Sequence, residues 1–287
     1  MTSPIPTNSE DCTPSRLIVF TDLDGTLLDS DIYSFDAAAA ALDELRARSI
    51  PVILVSSKTR AEIEPLRARL RNGHPFIVEN GGAVLIPLAY FPFQITDATI
   101  SGAYLVIEFG TPYIQLRRAL KEIEHDLGVP LRGYGDMSLD EIGRRTGLSI
   151  EDATLAKQRD YDEPFVVSAT EWNERTLAEA VAKRGLRWTK GDRFYHLMGN
   201  QDKGEAVRHL IRCYQRHAQH EHNTLMTVAL GNSLNDLPML AAVDTPILIQ
   251  LTDGSYSAGI DVPGLICAPA PGPAGWNRAL LELLKRL

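Results

Sequence analysis

The chain has few cysteines and lacks any long hydrophobic run. Its three cysteines, Cys12, Cys213 and Cys267, lie far apart and in no metal-ligand spacing, so we expect reduced thiols. No segment approaches the ~18 consecutive apolar residues that a membrane span requires. The amino terminus is polar and has neither the basic start nor the apolar stretch of a secretory signal. We therefore predict a cytoplasmic protein without membrane contacts, in which residues 1–15 form a disordered tail.

An excess of basic charge is also missing. The formal net charge is -8 and the pI is about 5.4, which argues against nucleic acid as a partner because phosphate backbones select basic surfaces. A small phosphorylated substrate is compatible with this charge, since a local basic pocket is enough to bind it. The hydrophobic fraction of 44% and the charged fraction of 23% are those of an ordinary soluble globular protein.

Short apolar runs alternate with helical patterns in the first part of the chain. Residues 17–20, 51–55 and 76–78 are apolar and rich in β-branched side chains, which favours strands buried on both faces. Thr59 and Glu62 have the spacing of a capping box, which predicts a helix start between the second and third runs. This alternation predicts a doubly wound, Rossmann-like α/β sheet.

The alternation is interrupted in the middle of the chain and resumes near Arg193. The simplest organisation is a discontinuous α/β core, formed by residues 16–86 and 190–287, with an inserted α+β domain at residues 87–189.

Two aspartates follow the first predicted strand in the segment LIVFTDLDGTLLDS, which covers residues 17–30. Asp22 and Asp24 would lie at the carboxyl end of a parallel strand, where α/β sheets bind ligands. Carboxylates this close repel each other unless a cation lies between them, and Mg²⁺ prefers carboxylate and phosphate oxygens. Asp22 is then a candidate nucleophile and Asp24 a candidate general acid and base, while Gly25 allows a tight turn.

The segment D-L-D-G-T resembles the first motif of the haloacid dehalogenase (HAD) superfamily, and three further stretches resemble its other motifs. The resemblance implies that Ser56, with Ser57 beside it, binds phosphate and that Lys203 neutralises its charge. In the fourth motif, LGNSLNDLPML, it implies that Asn232 and Asp236 bind Mg²⁺ together with Asp22 and Asp24. Asn232 departs from the family, which usually has aspartate there. Because an asparagine carbonyl brings no charge, we expect weaker metal affinity with retained activity.

The predicted insert contains AKQRDYDEPF, and GDRFYHL follows it. With VSSKTRAEIEPLR and GPAGWNRAL, these segments resemble the mannosyl-3-phosphoglycerate phosphatase family. The resemblance implies hydrolysis of 2-O-mannosyl-3-phosphoglycerate to mannosylglycerate, a compatible solute, with Mg²⁺ and no organic cofactor. The candidate substrate-binding residues are Lys58, Asn80, Lys157, Arg159, Asp162, Glu163, Arg193 and His196.

Several alternatives stay open at this point. Arginines suit the glycerate carboxylate, but Asp162 and Glu163 could equally be the acidic end of a helix before a proline-forced turn, and His196 could be a structural histidine. The substrate could carry glucose instead of mannose, which differs from it at one hydroxyl. A phosphomutase would return the phosphoryl group to a sugar, and a non-catalytic sugar-phosphate-binding protein would bind without turnover. The sequence does not indicate an oligomeric state.

Overall fold

The computed structural model describes residues 17–169, 171–190, 193–218 and 225–287. The predicted tail at 1–15 lies outside these residues. The strands are β1 (Leu17–Thr21), β2 (Val52–Val55), β3 (Phe76–Val78), β4 (Ala83–Pro87), β5 (Thr99–Ser101), β6 (Tyr104–Glu108), β7 (Leu131–Gly133), β8 (Asp162–Val167), β9 (Arg187–Lys190), β10 (Tyr195–Met198), β11 (Met226–Gly231), β12 (Thr245–Gln250) and β13 (Ile266–Pro271).

The helices separate most of these strands along the chain. They are α1 (Ala39–Ala47), α2 (Arg60–Arg69), α3 (Tyr113–Leu127), α4 (Leu139–Thr146), α5 (Ile150–Ala156), α6 (Glu174–Ala182), α7 (Lys203–Ala218), α8 (Leu237–Leu240) and α9 (Gly272–Leu284). The predicted capping box is present, because the Thr59 hydroxyl accepts from the backbone of Glu62 and the Glu62 carboxylate accepts from the backbone of Thr59.

Within the described residues, the larger sheet has nine strands in the order β13-β12-β11-β1-β2-β3-β4-β6-β5. The strands from β13 to β3 are parallel, and β1 at their centre is buried along its whole length. Helices α1, α2 and α9 pack on one face, and α7 and α8 pack on the other. This arrangement confirms the predicted doubly wound α/β fold, in which helices cover both faces of a parallel sheet.

A second, antiparallel sheet has the order β7-β8-β10-β9 in the described residues. Its core packs against the apolar faces of α3 and α6. A smaller cluster, which includes Ile142 of α4 and Ala153 of α5, lies around Tyr134 and Phe194. The left-handed conformation of Gly147 ends α4 before α5 begins, as helix-terminal glycines commonly do.

Sheet membership differs from the predicted boundaries. Strand β6 pairs with β4 and β5 pairs with β6, so residues 99–108 belong to the larger sheet although they fall inside the predicted insert at 87–189. Strand β10 belongs to the smaller sheet although it falls in the predicted second half of the core. Strand patterns do not reveal a distant partner, which explains the difference. The division into two domains stays a prediction.

The structure also contains an edge strand that the sequence pattern hides. The segment PAPGPAG at residues 269–275 predicts a loop, but Pro269 and Pro271 lie in β13 at the end of the larger sheet and the rest of the segment begins α9. A missing N–H group is tolerated in such an edge strand. Helix α9 follows directly, and its Trp276 ring nitrogen donates to the Thr21 hydroxyl at the end of β1. Among the described residues, none of the helices has the length and apolar character needed to cross a bilayer.

Candidate active site

Three neighbouring parallel strands end in polar residues at one edge of the larger sheet. Asp22 follows β1, Ser56 follows β2 and Asn232 follows β11. The backbone N–H of Asp22 donates to the carbonyl of Leu230, which extends the pairing of β1 with β11 to this point. The carboxyl ends of parallel strands are where open α/β sheets bind ligands, so the fold brings the predicted motifs together.

Lys203 lies beside Asp22 and is fully buried. Its Nζ is 2.7 Å from Asp22 Oδ1 and 2.6 Å from Asp236 Oδ1. Burial opposes a charged lysine, but the two carboxylates outweigh it and raise the pKa of Lys203. Burial and the Asp236 carboxylate raise the pKa of Asp22 to about 7, although Lys203 acts in the opposite direction. A buried lysine between two carboxylates is held in one place and can balance negative charge there.

Asp24 has a different environment from Asp22. Its side chain is 41% exposed, and its Oδ2 lies 3.0 Å from the Nζ of Lys58. Burial would lower the pKa of Lys58, but Asp24 and Glu62 outweigh it and raise the pKa. The Lys58 ammonium also lies 5.0 Å from the centre of the Tyr33 ring, within the range of a cation–π contact. The Asp22 carboxylate is therefore enclosed with Lys203, whereas the Asp24 carboxylate is partly exposed and paired with Lys58.

Asn232 is held beside the first motif. Its side-chain amide donates to the backbone carbonyl of Asp24 at 3.2 Å. Gly25 is in the left-handed conformation with φ of 71°, and a Cβ there would collide with the Asn232 amide. The turn thus requires glycine for both its conformation and the close approach. Asp236 Oδ2 accepts from the backbone N–H groups of Asn232 and Ser233, which fixes the loop.

The two predicted phosphate-binding serines lie at the start of the turn before α2. Ser56 is buried, and its hydroxyl oxygen accepts from the backbone N–H of Lys58. The carbonyl of Ser57 accepts from the guanidinium of Arg159 at 2.9 Å. Arg159 also lies 3.7 Å from Asp162 and over the Tyr134 ring. A buried arginine at the start of the second sheet's layer therefore contacts the turn that contains Ser56 and Ser57.

Asn80 connects the fourth motif with the second sheet. Its Oδ1 accepts from the Asn235 amide at 3.1 Å, and its Nδ2 donates to Asp162 Oδ2 at 2.8 Å. The same Asp162 oxygen lies 2.9 Å from Nδ1 of His196. Burial would raise the pKa of Asp162, but His196, Arg159 and Asn80 together lower it.

Asp162 and Glu163 begin strand β8, so the alternative that they end a helix is wrong. Glu163 is buried and accepts from Arg117 and from the backbone of Gly135.

Two other predicted substrate-binding residues are bound within the second sheet's own layer. The ammonium of Lys157 donates to the carbonyl of Met137, and Arg193 donates to the carbonyl of Thr146. Glu163 likewise contacts residues of that layer. Substrate contacts by Lys157, Glu163 and Arg193 stay predictions, and this structure gives each of them partners outside the cluster around Asp22.

Sequence reasoning missed Glu79 and Tyr161. Glu79 is fully buried, and its carboxylate accepts from the backbone N–H groups of Asp160 and Tyr161. Burial raises the pKa of Glu79 to about 7 against the opposing effects of Arg159 and these N–H groups. The only sequence signal for Glu79 is its position directly after the buried strand β3, and the segment that it begins has the composition of an ordinary turn.

Comparison with known proteins defines the class first. Residues 19–92 match the family model of haloacid dehalogenase-like hydrolases. A solved phosphatase of the HAD superfamily from Bacteroides thetaiotaomicron superposes with a TM-score of 0.64 at 14% identity, covering 98% of both chains. This similarity supports the fold, which is that of HAD enzymes.

Curated relatives identify the family within this class. The chain is 46% identical over 267 residues to the glucosyl-3-phosphoglycerate/mannosyl-3-phosphoglycerate phosphatase of Methanococcoides burtonii, covering 93% of this chain and 97% of that protein. It is 38% identical over 232 residues to the mannosyl-3-phosphoglycerate phosphatase of Pyrococcus horikoshii, covering 81% and 90% respectively. The chain therefore belongs to the mannosyl-3-phosphoglycerate phosphatase family and is a phosphoric monoester hydrolase.

Phosphatases of the HAD superfamily generally use Mg²⁺, an ion that prefers oxygen ligands of the kind found beside Asp22. Among the described residues, no three His, Cys, Asp or Glu side chains are arranged to hold a metal. Both oxygens of Asp236 already accept hydrogen bonds. However, Asp24 Oδ1 is buried without a hydrogen-bond partner in the described part of the chain. Asp22, Asp24 and Asn232 can each offer a side-chain oxygen, which is the type of ligand that suits a hard cation.

Proposed function

We propose that the chain hydrolyses 2-O-mannosyl-3-phosphoglycerate to mannosylglycerate and phosphate. The observation that carries this proposal is the buried Lys203, hydrogen-bonded at once to Asp22 and Asp236 at the strand ends. The substrate is taken from the names of the relatives, which match most of the chain. Because one relative is named for both sugars, the glucosyl compound is the second candidate substrate.

Asp22 is the proposed nucleophile. Its carboxylate oxygen would form a bond to phosphorus while the bond from phosphorus to the glycerate oxygen breaks. Lys203 holds Asp22 in position and balances the charge that gathers around the phosphoryl group. The Ser56 hydroxyl oxygen accepts from the backbone N–H of Lys58, so the hydroxyl proton remains available to a phosphate oxygen.

Asp24 is the proposed general acid and base. In the first half-reaction it would protonate the departing glycerate oxygen, and in the second it would accept a proton from the water that attacks the aspartyl-phosphate. Its partial exposure and its contact with Lys58 place it at the open side of the cluster. Lys58 would thereby hold Asp24 in position and contribute positive charge near the substrate.

Mg²⁺ would be held by Asp22, Asp24 and Asn232 together with Asp236, which also fixes Lys203 and the backbone of Asn232. The bound ion would withdraw negative charge from the phosphate oxygens. For the glycosyl-glycerate part of the substrate, Arg159, Asp162 and His196 are the best-placed candidates, since their hydrogen-bond network reaches Ser57 and Asn80.

Phosphate release from mannosyl- and glucosyl-3-phosphoglycerate, measured side by side with Mg²⁺ and with EDTA, tests the proposal. We expect metal-dependent release with a much higher kcat/KM for the mannosyl compound. Equal rates would define a broader glycosyl-3-phosphoglycerate phosphatase. Binding of both compounds without release would contradict the proposal and support the non-catalytic alternative.

A further inference from the structure

Two consecutive polar residues at the end of β3 are buried and have no role in the phosphoryl-transfer steps above. Glu79 is 0% exposed and Asn80 is 2% exposed. Both have left-handed backbones, with φ of 46° and 57°. This conformation costs roughly 1 kcal/mol or more for a residue with a Cβ, so the surrounding contacts must hold it in place.

Glu79 fixes the chain segment that leads into the second sheet. Its Oε1 lies 2.9 Å from the backbone nitrogen of Asp160, and its Oε2 lies 2.9 Å from that of Tyr161. The Tyr161 side chain lies against Gly82 and Gly110, where an added Cβ on either glycine would be only 2.5 Å from the tyrosine Cβ. Gln201 also donates to the Tyr161 carbonyl. The residue before Asp162 therefore has a fixed position relative to the larger sheet.

Asn80 adds a directional hydrogen-bond chain beside this anchor. The Asn235 amide donates to Asn80, Asn80 donates to Asp162, and Asp162 also pairs with Nδ1 of His196. Both ends of the Asn80 amide are used, so a flipped amide would lose both bonds. Asn235 belongs to the loop that holds Asp236, whose other oxygen binds Lys203. One amide thus joins the loop of Asp236 to the buried Asp162 of the second sheet and, through it, to His196.

We propose that Asn80 is a positioning residue that keeps Asp162 and His196 in register with the catalytic loop. The proposal rests on the proposed function, in which those two residues face the glycosyl-glycerate part of the substrate. A small ester such as p-nitrophenyl phosphate has no such part. Its hydrolysis depends on the cluster around Asp22 and only weakly on the position of the second sheet.

A reciprocal exchange tests the proposal. Asn80→Asp places two carboxylates against each other and removes the bond to Asp162. Asp162→Asn leaves one acceptor oxygen where Asn80 and His196 now have two. We expect each single variant to lower kcat/KM for mannosyl-3-phosphoglycerate by about 100-fold, as for small misplacements of binding groups. The loss on p-nitrophenyl phosphate should be at least about 10-fold smaller. The double variant restores the hydrogen bond between positions 80 and 162, because the amide at 162 donates to the carboxylate at 80. The remaining oxygen at 162 corresponds to the one that lies 3.1 Å from Nδ1 of His196, so part of the lost activity should return.

Asn200→Asp is the matched control, since it introduces the same charge at an exposed asparagine and should leave both activities unchanged. Thermal unfolding of every variant shows that it is folded. Equal losses on both substrates, or a double variant no better than the singles, would overturn the positioning role. Absence of phosphate release from either glycosyl compound by the unmodified chain would instead remove the proposed function, and this inference with it.

Discussion

Replacing Lys203 by methionine is the perturbation whose cost the structure allows us to work out. The substitution keeps the length and apolar stem of the side chain but leaves Asp22 and Asp236 buried without their common cation. At 2.7 and 2.6 Å, each pair has a gross attraction of about 6 kcal/mol in a medium of effective dielectric constant ~20. The cost of burying the lysine offsets much of this attraction, and losing one partner of a buried pair costs about 3–5 kcal/mol.

We expect Lys203→Met to lose about 3–5 kcal/mol of unfolding free energy. For a chain of this size that corresponds to a fall in Tm of about 10 °C, measurable by circular dichroism. The double variant Lys203→Met/Asp236→Asn removes one of the stranded carboxylates and should recover part of the stability. Neither variant should release phosphate at a measurable rate.

The control for this experiment is Lys183→Met, which removes an exposed lysine of the second sheet's layer and should change stability by less than about 0.5 kcal/mol. If Lys203→Met has the same Tm as the unmodified chain, the Lys203 ammonium does not stabilise the buried cluster with Asp22 and Asp236. Recovery of phosphate release in the double variant would show that Lys203 has no role beyond stability.

Three further predictions concern the metal, the general acid and base, and the response to acid. Asn232→Asp should lower the Mg²⁺ concentration for half-maximal activity about tenfold. Without metal it should lower the Tm, because the hydrogen bond from the Asn232 side-chain amide to the Asp24 carbonyl is lost. An unchanged metal requirement in a magnesium titration would remove Asn232 from the site. Asp24→Asn should slow turnover by about 10²–10⁴-fold, which steady-state phosphate release measures, and near-normal turnover would exclude Asp24 as acid and base. Burial and Arg67 lower the pKa of His74 to about 4, so the unfolded chain gains a proton on this residue first as the pH falls. The neutral His74 therefore contributes to the free energy of unfolding above about pH 6.5, and about 3 kcal/mol of this free energy is lost as the pH falls towards 4. In denaturant unfolding, His74→Gln should lose less stability over this pH range than the unmodified chain. An equal loss in both proteins would contradict the assignment to His74.

The cluster of polar residues at one edge of the larger sheet is predictable because its sequence signal is local. Asp22, Ser56 and Asn232 each directly follow a buried apolar strand, and a polar residue at that position in a parallel sheet faces the ligand crevice. The same reasoning applies to the Thr59–Glu62 capping box, whose spacing alone specifies the bonds. Periodicity and strand-end chemistry therefore predict both the α/β fold and the order of the motifs.

The placement of the second sheet is not predictable in the same way. Whether β6 pairs with β4 or with a strand of the insert depends on contacts between distant residues, and its alternating pattern is compatible with both. Arg159 and Asp162 are predicted to bind substrate because they lie in a segment that resembles the phosphatase family and because their side chains can pair with a carboxylate or with hydroxyl groups. Their bonds to Ser57 and Asn80 could be found only once the fold brought separate segments together.

The buried carboxylate of Glu79 shows a further limit. In the sequence it precedes Asn80-Gly81-Gly82, which is typical of an exposed turn. In the structure it is enclosed and bound by two backbone N–H groups from a segment about 80 residues later in the chain. Backbone donors carry no residue-specific signal, so this contact leaves no trace in the sequence of the partner segment.

The central claim is that the phosphoryl group passes through Asp22, and trapping that intermediate tests it most directly. The unmodified chain would be mixed with mannosyl-3-phosphoglycerate and Mg²⁺, quenched in acid within one turnover, and analysed by peptide mass spectrometry. We expect one phosphoryl group on the peptide that contains Asp22 in the unmodified chain, and no phosphorylated peptide in Asp22→Asn. Phosphoryl label on another residue, or rapid phosphate release by Asp22→Asn, would contradict it.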